Sequence, residues 1–282
     1  VLTRVRAGAL SIVGVSVGGV YTSLSVPELD VILDIGIAPR SFVGARQLLI
    51  SHGHADHVGS LVSLLGVRGL SKTPPPTIYL PMEIATDVSE AVAALNRAQR
   101  RVVAPTFVPL APGDERELSP GLWLRAFRTL HTVPSLGYEL FRRIEKLKPE
   151  HLGLSPLEIR SRRQAGEPLF VTIERSELAY ATDTLIDVLD KKPELFDARV
   201  LILECTFLDE RKGRSETRDK CHVHLDEIVE RAESFRNEHL VLMHFSQLYQ
   251  PAEVREILKR RCPAQLAARL VVFAPERGAW PG

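Results

Sequence analysis

The stretch Leu48–Leu61, LLISHGHADHVGSL, places three histidines and an aspartate within six positions, straight after an apolar run. Such a loop is either a polar turn that happens to be rich in histidine or the larger part of a metal site. Gly53 and Ala55 are small enough to let the side chains of His52, His54, Asp56 and His57 converge. Imidazole nitrogen and carboxylate oxygen suit zinc without any sulfur ligand. A single catalytic zinc uses about three protein ligands, so four candidates in one loop ask for partners elsewhere in the chain.

Working outward, the same arrangement recurs: a short apolar run of strand length ends abruptly in a polar residue. DVILDIG stops at Asp34, LAYATDT at Asp183, VLILECT at Glu204 and LVLMHFS at His244, with LWLRAFRTLHT a looser case at His131. Near-continuous apolar runs predict strands of sheets covered on both faces, and functional groups on such sheets gather where the loops emerge. One His or Asp after a strand is ordinarily a loop cap; together with His52, these residues predict one shared rim. His131, Asp183 and His244 raise the ligand candidates to seven, a set that fits two metals sharing a carboxylate. Helical spacing is expected over 225–237 (LDEIVERAESFRN), 82–100 and 251–262, and from about His57 onward. Strands and helices mix without strict alternation, and no fixed repeat is found.

The totals set broad limits. The chain has 282 residues, 45% hydrophobic and 25% charged, with net charge +1; this is ordinary for a soluble globular protein and supplies no global field toward nucleic acid or membrane. Three cysteines with no C-x-x-C pair speak against a disulfide framework or a thiolate zinc site. A reducing, cytoplasmic setting is expected. The glycine-interrupted N-terminal stretch is not expected to act as a signal peptide, and no apolar run approaches a membrane span.

With those residues in view, the chain resembles the metallo-β-lactamase superfamily: SHGHADH matches its H-x-H-x-D-H motif, and Asp34, His131, Asp183 and His244 match its other motifs in order. Within it, HTVPSLGY, ECTFLDE and CHVHLDEIVERAESFRNEHLVLMHFSQLY resemble segments of ribonuclease Z (tRNase Z), most like the plant short form. The resemblance implies an αββα sandwich, two mixed β-sheets face to face with helices on the outer faces, as one domain over 1–282. It implies two zinc ions, or manganese, with His52, His54 and His131 on one, Asp56, His57 and His244 on the other, and Asp183 bridging. Asp56 would also orient the attacking water, and Asp34 would organise the loop from behind. Ser135, Tyr138, Thr206 and Ser246 are implied as substrate-side residues. The implied activity is endonucleolytic removal of 3′ trailers from tRNA precursors by a homodimer. The alternative is cleavage of another RNA or a cyclic nucleotide on the same scaffold.

A phosphodiester leaving group needs a proton, and a histidine outside the metal shell can supply it. The family's acid lies 22 positions before the last ligand, which selects His222. His224, two residues on, would share its side in an extended stretch and remains a second candidate. Glu204 would hold the acid's tautomer. The chain departs from the family in three places: Leu248 stands where many members carry arginine, no P-T-R-x-R-N-like loop precedes the histidine loop, and no Gly-Pro pair marks the arm. The segment at about 139–170 is expected to project as a reduced arm. From Arg142 to Arg163 it carries seven Lys/Arg against three Glu, so the remainder of the chain is acidic by three. Arg160, Arg162 and Arg163 are the candidates for a phosphate-backbone contact.

Overall fold

In the computed structural model, which describes residues 2–100 and 103–281, two seven-stranded sheets face each other. The first orders its strands as they occur in sequence: β1 (Thr3–Ala7), β2 (Leu10–Val17), β3 (Tyr21–Val26), β4 (Val31–Leu33), β5 (Gln47–Leu49), β6 (Thr77–Pro81) and β7 (Thr106–Leu110). The second does the same with β8 (Glu115–Ser119), β9 (Leu122–Arg128), β10 (Leu136–Leu147), β11 (Phe170–Ala181), β12 (Val200–Glu204), β13 (His239–Met243) and β14 (Leu270–Val272). Each sheet opens as an antiparallel meander of four strands and continues in parallel. This shared wiring has no counterpart repeat in the sequence.

Apolar runs rather than alternation are what this layering demands. In β4 and β5, Val31, Leu33 and Leu49 pack between the sheets, while Ile32 and Leu48 face the helices outside. In β12 and β13, Ile202, Val241 and Met243 point inward, and Leu201, Leu203, Leu240 and Leu242 meet the opposite helical layer. Parallel strands covered on both faces leave no polar face, so the first polar side chain appears where each strand stops.

The helices are α1 (Ala55–Val58), α2 (Leu61–Leu70), α3 (Ala85–Ala98), α4 (Pro156–Gln164), α5 (Asp187–Lys191), α6 (Arg214–Asp219), α7 (Leu225–Glu230), α8 (Pro251–Arg261) and α9 (Ala264–Ala267). The helix expected over 225–237 stops at Glu230. Beyond it the chain is captured by its neighbours: the Arg236 amide donates to the Phe196 carbonyl, and Asn237 Nδ2 donates to the Leu195 and Ala198 carbonyls. Those bonds require a non-helical course, and local propensity yields to them.

Between 139 and 170 the expected projection begins later than anticipated. Residues up to Arg142 of β10 pair with β9, and β11 pairs with β12 only from Leu178. From Arg143 to Leu147, and from Phe170 to Ser176, the two strands pair only with each other, forming a two-stranded ribbon. Its tip carries α4, started by a capping box in which Ser155 and Glu158 satisfy each other's backbone amides.

Candidate metal centre

Six polar residues follow or end strands on one rim: Asp34 after β4, His52 after β5, His131 after β9, Asp183 after β11, Glu204 at the end of β12 and His244 after β13. Asp34, Asp183 and His244 have φ of 56°, 37° and 61°. Left-handed backbone is uncommon for residues other than glycine, and its presence at three strand ends on one rim is the strain expected of a functional site. Gly36 permits the histidine loop to close on this rim, because a Cβ there would lie 2.0 Å from the Asp56 carbonyl oxygen.

The side chains form two clusters of potential ligand atoms. His52, His54, His131 and Asp183 make one, and Asp56, His57 and His244 the other, with a third grouping, Asp183, His222 and His244, overlapping both; atoms in each lie within 4.8 Å of one another. Asp183 faces both: its Oδ2 lies 3.8 Å from His52 Nε2 and from His131 Nε2, and its Oδ1 lies 3.4 Å from His57 Nε2 and 3.2 Å from His244 Nε2.

Four histidines present Nε2 inward because Nδ1 is held from behind. Ser51 Oγ holds His52 at 2.9 Å, Asp34 Oδ2 holds His57 at 2.8 Å, the Cys221 carbonyl accepts from His131 at 3.4 Å, and Thr206 Oγ1 holds His244 at 3.0 Å. His54 alone turns Nδ1 inward, 3.0 Å from His52 Nε2 and 3.2 Å from His131 Nε2. Ligands about 2.0–2.1 Å from a tetrahedral ion lie roughly 3.3 Å apart, so this trio is spaced to share one cation. In the second cluster, His57 Nε2 and His244 Nε2 are buried with no hydrogen-bond partner among the described residues. Buried polar atoms ordinarily find partners; two orphaned nitrogens beside carboxylates fit a metal.

Electrostatics agree with that fit. Burial opposes the charge on Asp183, yet the ring of His244, His57 and His52 holds its carboxyl well below the usual carboxylate range. His57 is likewise buried against its charge but pushed up to about 9 by Asp183 and Asp34; carboxylates that favour a proton at that nitrogen favour a metal ion there too. Burial lowers His52, His131 and His244, toward the neutral imidazole that ligates.

Beside the clusters, His222 Nδ1 lies 3.0 and 3.2 Å from the two oxygens of Glu204. Glu204 is buried and further fixed by the Thr184 and Val223 amides and by Thr206 Oγ1 at 2.5 Å. Burial acts against the His222 proton, and Glu204 overcomes it, pushing the imidazole up to about 9. His222 therefore holds a proton at neutral pH, next to the metal ligands and partly open to solvent.

Several expected residues stand elsewhere. His224 does not share the side of His222: it caps α7, accepting from the Asp226 amide at Nδ1 and meeting the Asp209 carbonyl at Nε2, so both ring nitrogens are used. Tyr138 is buried between the sheets and donates to the Ile50 carbonyl at 2.6 Å, out of reach of a substrate. Ser135 is buried too, accepting from Thr129, and Thr206 serves Glu204 and His244 from within. Ser246 is at the rim, half-buried, where it caps the Leu248 amide. Arg160, Arg162 and Arg163 lie on α4, at the far end of the ribbon from the rim. Arg162 and Arg163 pair with Glu167 and Glu145, while Arg142 and Arg143 pair with Glu177, Glu115 and Glu174. The segment's charge is thus more internally balanced than its count suggests. Conversely, Ser51 and Tyr180 emerge as positioning residues, of which only Ser51, adjacent to His52, was within reach of a sequence argument; Thr206, expected on the substrate side, positions Glu204 and His244 instead.

Comparison with known proteins agrees with this architecture. A β-lactamase superfamily domain model matches residues 35–245. The chain is 35% identical to tRNase Z TRZ1 of Arabidopsis thaliana over 94% of each chain. It is 34% identical to the chloroplastic tRNase Z TRZ2 of the same plant, covering 89% of this chain and 72% of that one. The human tRNase Z short form shares the fold, with a TM-score of 0.58 at 17% identity over 94% of this chain and 97% of that chain. With two mixed sheets, a His/Asp rim and relatives of this similarity over nearly its whole length, the chain belongs to the tRNase Z (ribonuclease Z) family of the β-lactamase superfamily.

Proposed function

We propose that this chain is a metal-dependent endoribonuclease that removes 3′ trailers from tRNA precursors. The observation that carries the reading is the Glu204–His222 pair beside the two ligand clusters. A metal-binding protein without hydrolytic work has no need of a buried carboxylate that keeps one exposed-edge imidazole protonated. Two zinc ions, one per cluster with Asp183 between them, are the occupancy the donor set supports best. Metals there supply Lewis acidity, which lowers the pKa of water and stabilises negative charge growing on a phosphate.

The chain's own residues do the rest. Asp56, partly exposed beside His57, accepts the hydrogen bond that orients the attacking water. Glu204 accepts from Nδ1–H of His222 and favours the imidazolium, whose second proton, on Nε2, goes to the 3′-oxygen as it leaves; such acid catalysis contributes roughly 10²–10⁴ in rate. Thr206 ties Glu204 to His244, fixing the acid relative to the ligands. From Asp183 back to Phe170 the strand and its ribbon extend about 40–45 Å at strand rise, and they carry α4 far from the rim of its own subunit. That reach supports a homodimer in which each tip grips RNA cut by the other subunit. Among the described residues no helix is long and apolar enough to cross a membrane.

The test is cleavage of a precursor tRNA with a 3′ trailer, read together with metal content. Cuts at the trailer junction, abolished in Asp56→Ala and slowed about 10²–10⁴-fold in His222→Ala with metal content retained, are expected. Loss of metal from His222→Ala would make His222 a ligand, an option its distance to Asp183 and His244 permits. No cleavage by metal-loaded protein would end the tRNA assignment.

A further inference from the structure

One cavity, of about 940 Å³, lies away from the metal rim. It lies where the edge strand of one sheet, β1, meets the edge strand of the other, β14, and it is floored by the tail from Ala274 to Pro281. Four arginines line it, Arg4, Arg6, Arg255 and Arg277, against a single acid, Glu276. None of the four forms an ion pair among the described residues, although most other arginines of this chain do. Arg6 reaches the Ser11 hydroxyl and lies near Glu28, outside ion-pair distance. Arg255 donates to the Ala274 carbonyl while its buried Nε has no partner. Arginines left without carboxylates around a concave surface describe an anion site with room for more than one charge.

The groove's position says which anion. β13 and β14 run parallel, with Leu242 level with Val272 and the Phe273 amide bonded to the Leu242 carbonyl. β13 ends at Met243 and β14 at Val272, so Ala274 follows its strand at the same end of the sheet as His244. β1 also enters from the rim, since Thr3 pairs with Gly14 near the end of β2, and Gly18 just beyond β2 bonds to Phe245. The groove thus lies along the flank of the sandwich, on strands whose ends reach the rim. No aromatic side chain lines it, so bases would not be stacked there. It addresses phosphates alone and tolerates any sequence.

We propose that this groove holds the single-stranded phosphate backbone of the 3′ trailer beyond the scissile bond. The assignment rests on the tRNA-processing reading of the metal rim. An extended acidic peptide pairing with the open edge of β1 or β14 is the competing occupant. It is less favoured because the reading of the metal rim supplies a phosphate backbone to this molecule and no acidic peptide.

The test uses Arg4→Ala/Arg277→Ala, with Arg277→Glu alone as a second variant in the exposed tail. Both positions are exposed and away from the ligands, where substitutions are well tolerated. kcat/KM is measured against salt for precursors with a long and with a minimal trailer. Binding of a fluorescent oligouridylate is followed by anisotropy. For the long trailer, the salt slope should fall by about 1.4 in the double variant, at roughly 0.7 per single-strand phosphate contact, with the minimal trailer unaffected. Oligouridylate should weaken in parallel. Equal behaviour of both trailers, or oligouridylate binding unchanged by the substitutions, would overturn the proposal. So would polyglutamate displacing oligouridylate from the wild type at equal charge, which would give the groove to a peptide. A wild type that binds oligouridylate through these arginines yet cleaves no precursor would instead remove the tRNA reading and leave an RNA groove of another purpose.

Discussion

Asp34→Asn changes one atom of the rim and should separate the two proposed metals. Asp34 is fully buried and accepts four hydrogen bonds, very unevenly divided. Oδ1 takes only the Ser51 amide at 2.6 Å, while Oδ2 takes Ser51 Oγ at 2.8 Å, Tyr180 OH at 2.6 Å and His57 Nδ1 at 2.8 Å. With the amide oxygen kept on the Ser51 amide, the new NH₂ faces three former donors. The hydroxyls of Ser51 and Tyr180 can rotate and accept. His57 can accept only by shifting its proton to Nε2, which then points an N–H at the ligand cluster. The orienting partner of a metal-bound histidine is typically worth 10–100-fold in affinity, or about 1.4–2.7 kcal/mol. Calorimetric zinc titration should therefore show the step belonging to Asp56, His57 and His244 weakened by that factor. The step belonging to His52, His54 and His131 should lose less, because Asp34 reaches those rings only at one remove, through the Ser51 hydroxyl that also holds His52. Equal weakening of both steps, or of neither, would refute the tautomer argument; a fall in melting temperature alone would leave only a structural role for Asp34.

Glu204→Gln removes the charge that lifts His222, so the alkaline limb of the cleavage rate, set by an imidazole near 9 in the wild type, should move to lower pH; an unmoved limb would show that another group sets it. His224→Ala should cost about 0.5–2 kcal/mol through the lost α7 cap, seen in denaturant titration, while turnover per folded molecule stays near wild type; a loss matching that of His222→Ala would return His224 to the chemistry. Replacing Arg160, Arg162 and Arg163 together with alanine should flatten the salt dependence of precursor binding without altering kcat, and an unchanged slope would take α4 out of RNA recognition.

The rim was legible because it obeys a rule visible along the chain: a strand buried on both faces cannot hide a carboxylate or imidazole in its middle, so the polar residue marks the strand's end. Asp34, His52, Asp183, Glu204 and His244 all announce themselves this way. Tyr138, put forward on the family resemblance alone, is no such strand end: it lies within β10 and its hydroxyl is consumed by the Ile50 carbonyl in the core. His224 was misread because i, i+2 symmetry assumes the strand-like course continues in use; instead α7 begins there and its orphan amide claims the ring. Tyr180 was out of reach altogether. Its bond to Asp34 spans 146 residues, and nothing local distinguishes it from other core tyrosines.

The order of strands gives the centre a second meaning. Every strand before Leu110 lies in one sheet and every strand after Glu115 in the other, so the chain is two contiguous halves that could be severed in that turn without dividing a sheet. Neither half owns a complete ligand set: Asp56, His57, His52 and His54 come from the first, and His131, Asp183 and His244 from the second, with both clusters straddling the seam. A cation bound in either cluster is thus a clasp across the sandwich, and its binding energy is shared with the docking of the halves. Fragments 1–112 and 113–282, mixed, would turn metal uptake into a reporter of their reassembly.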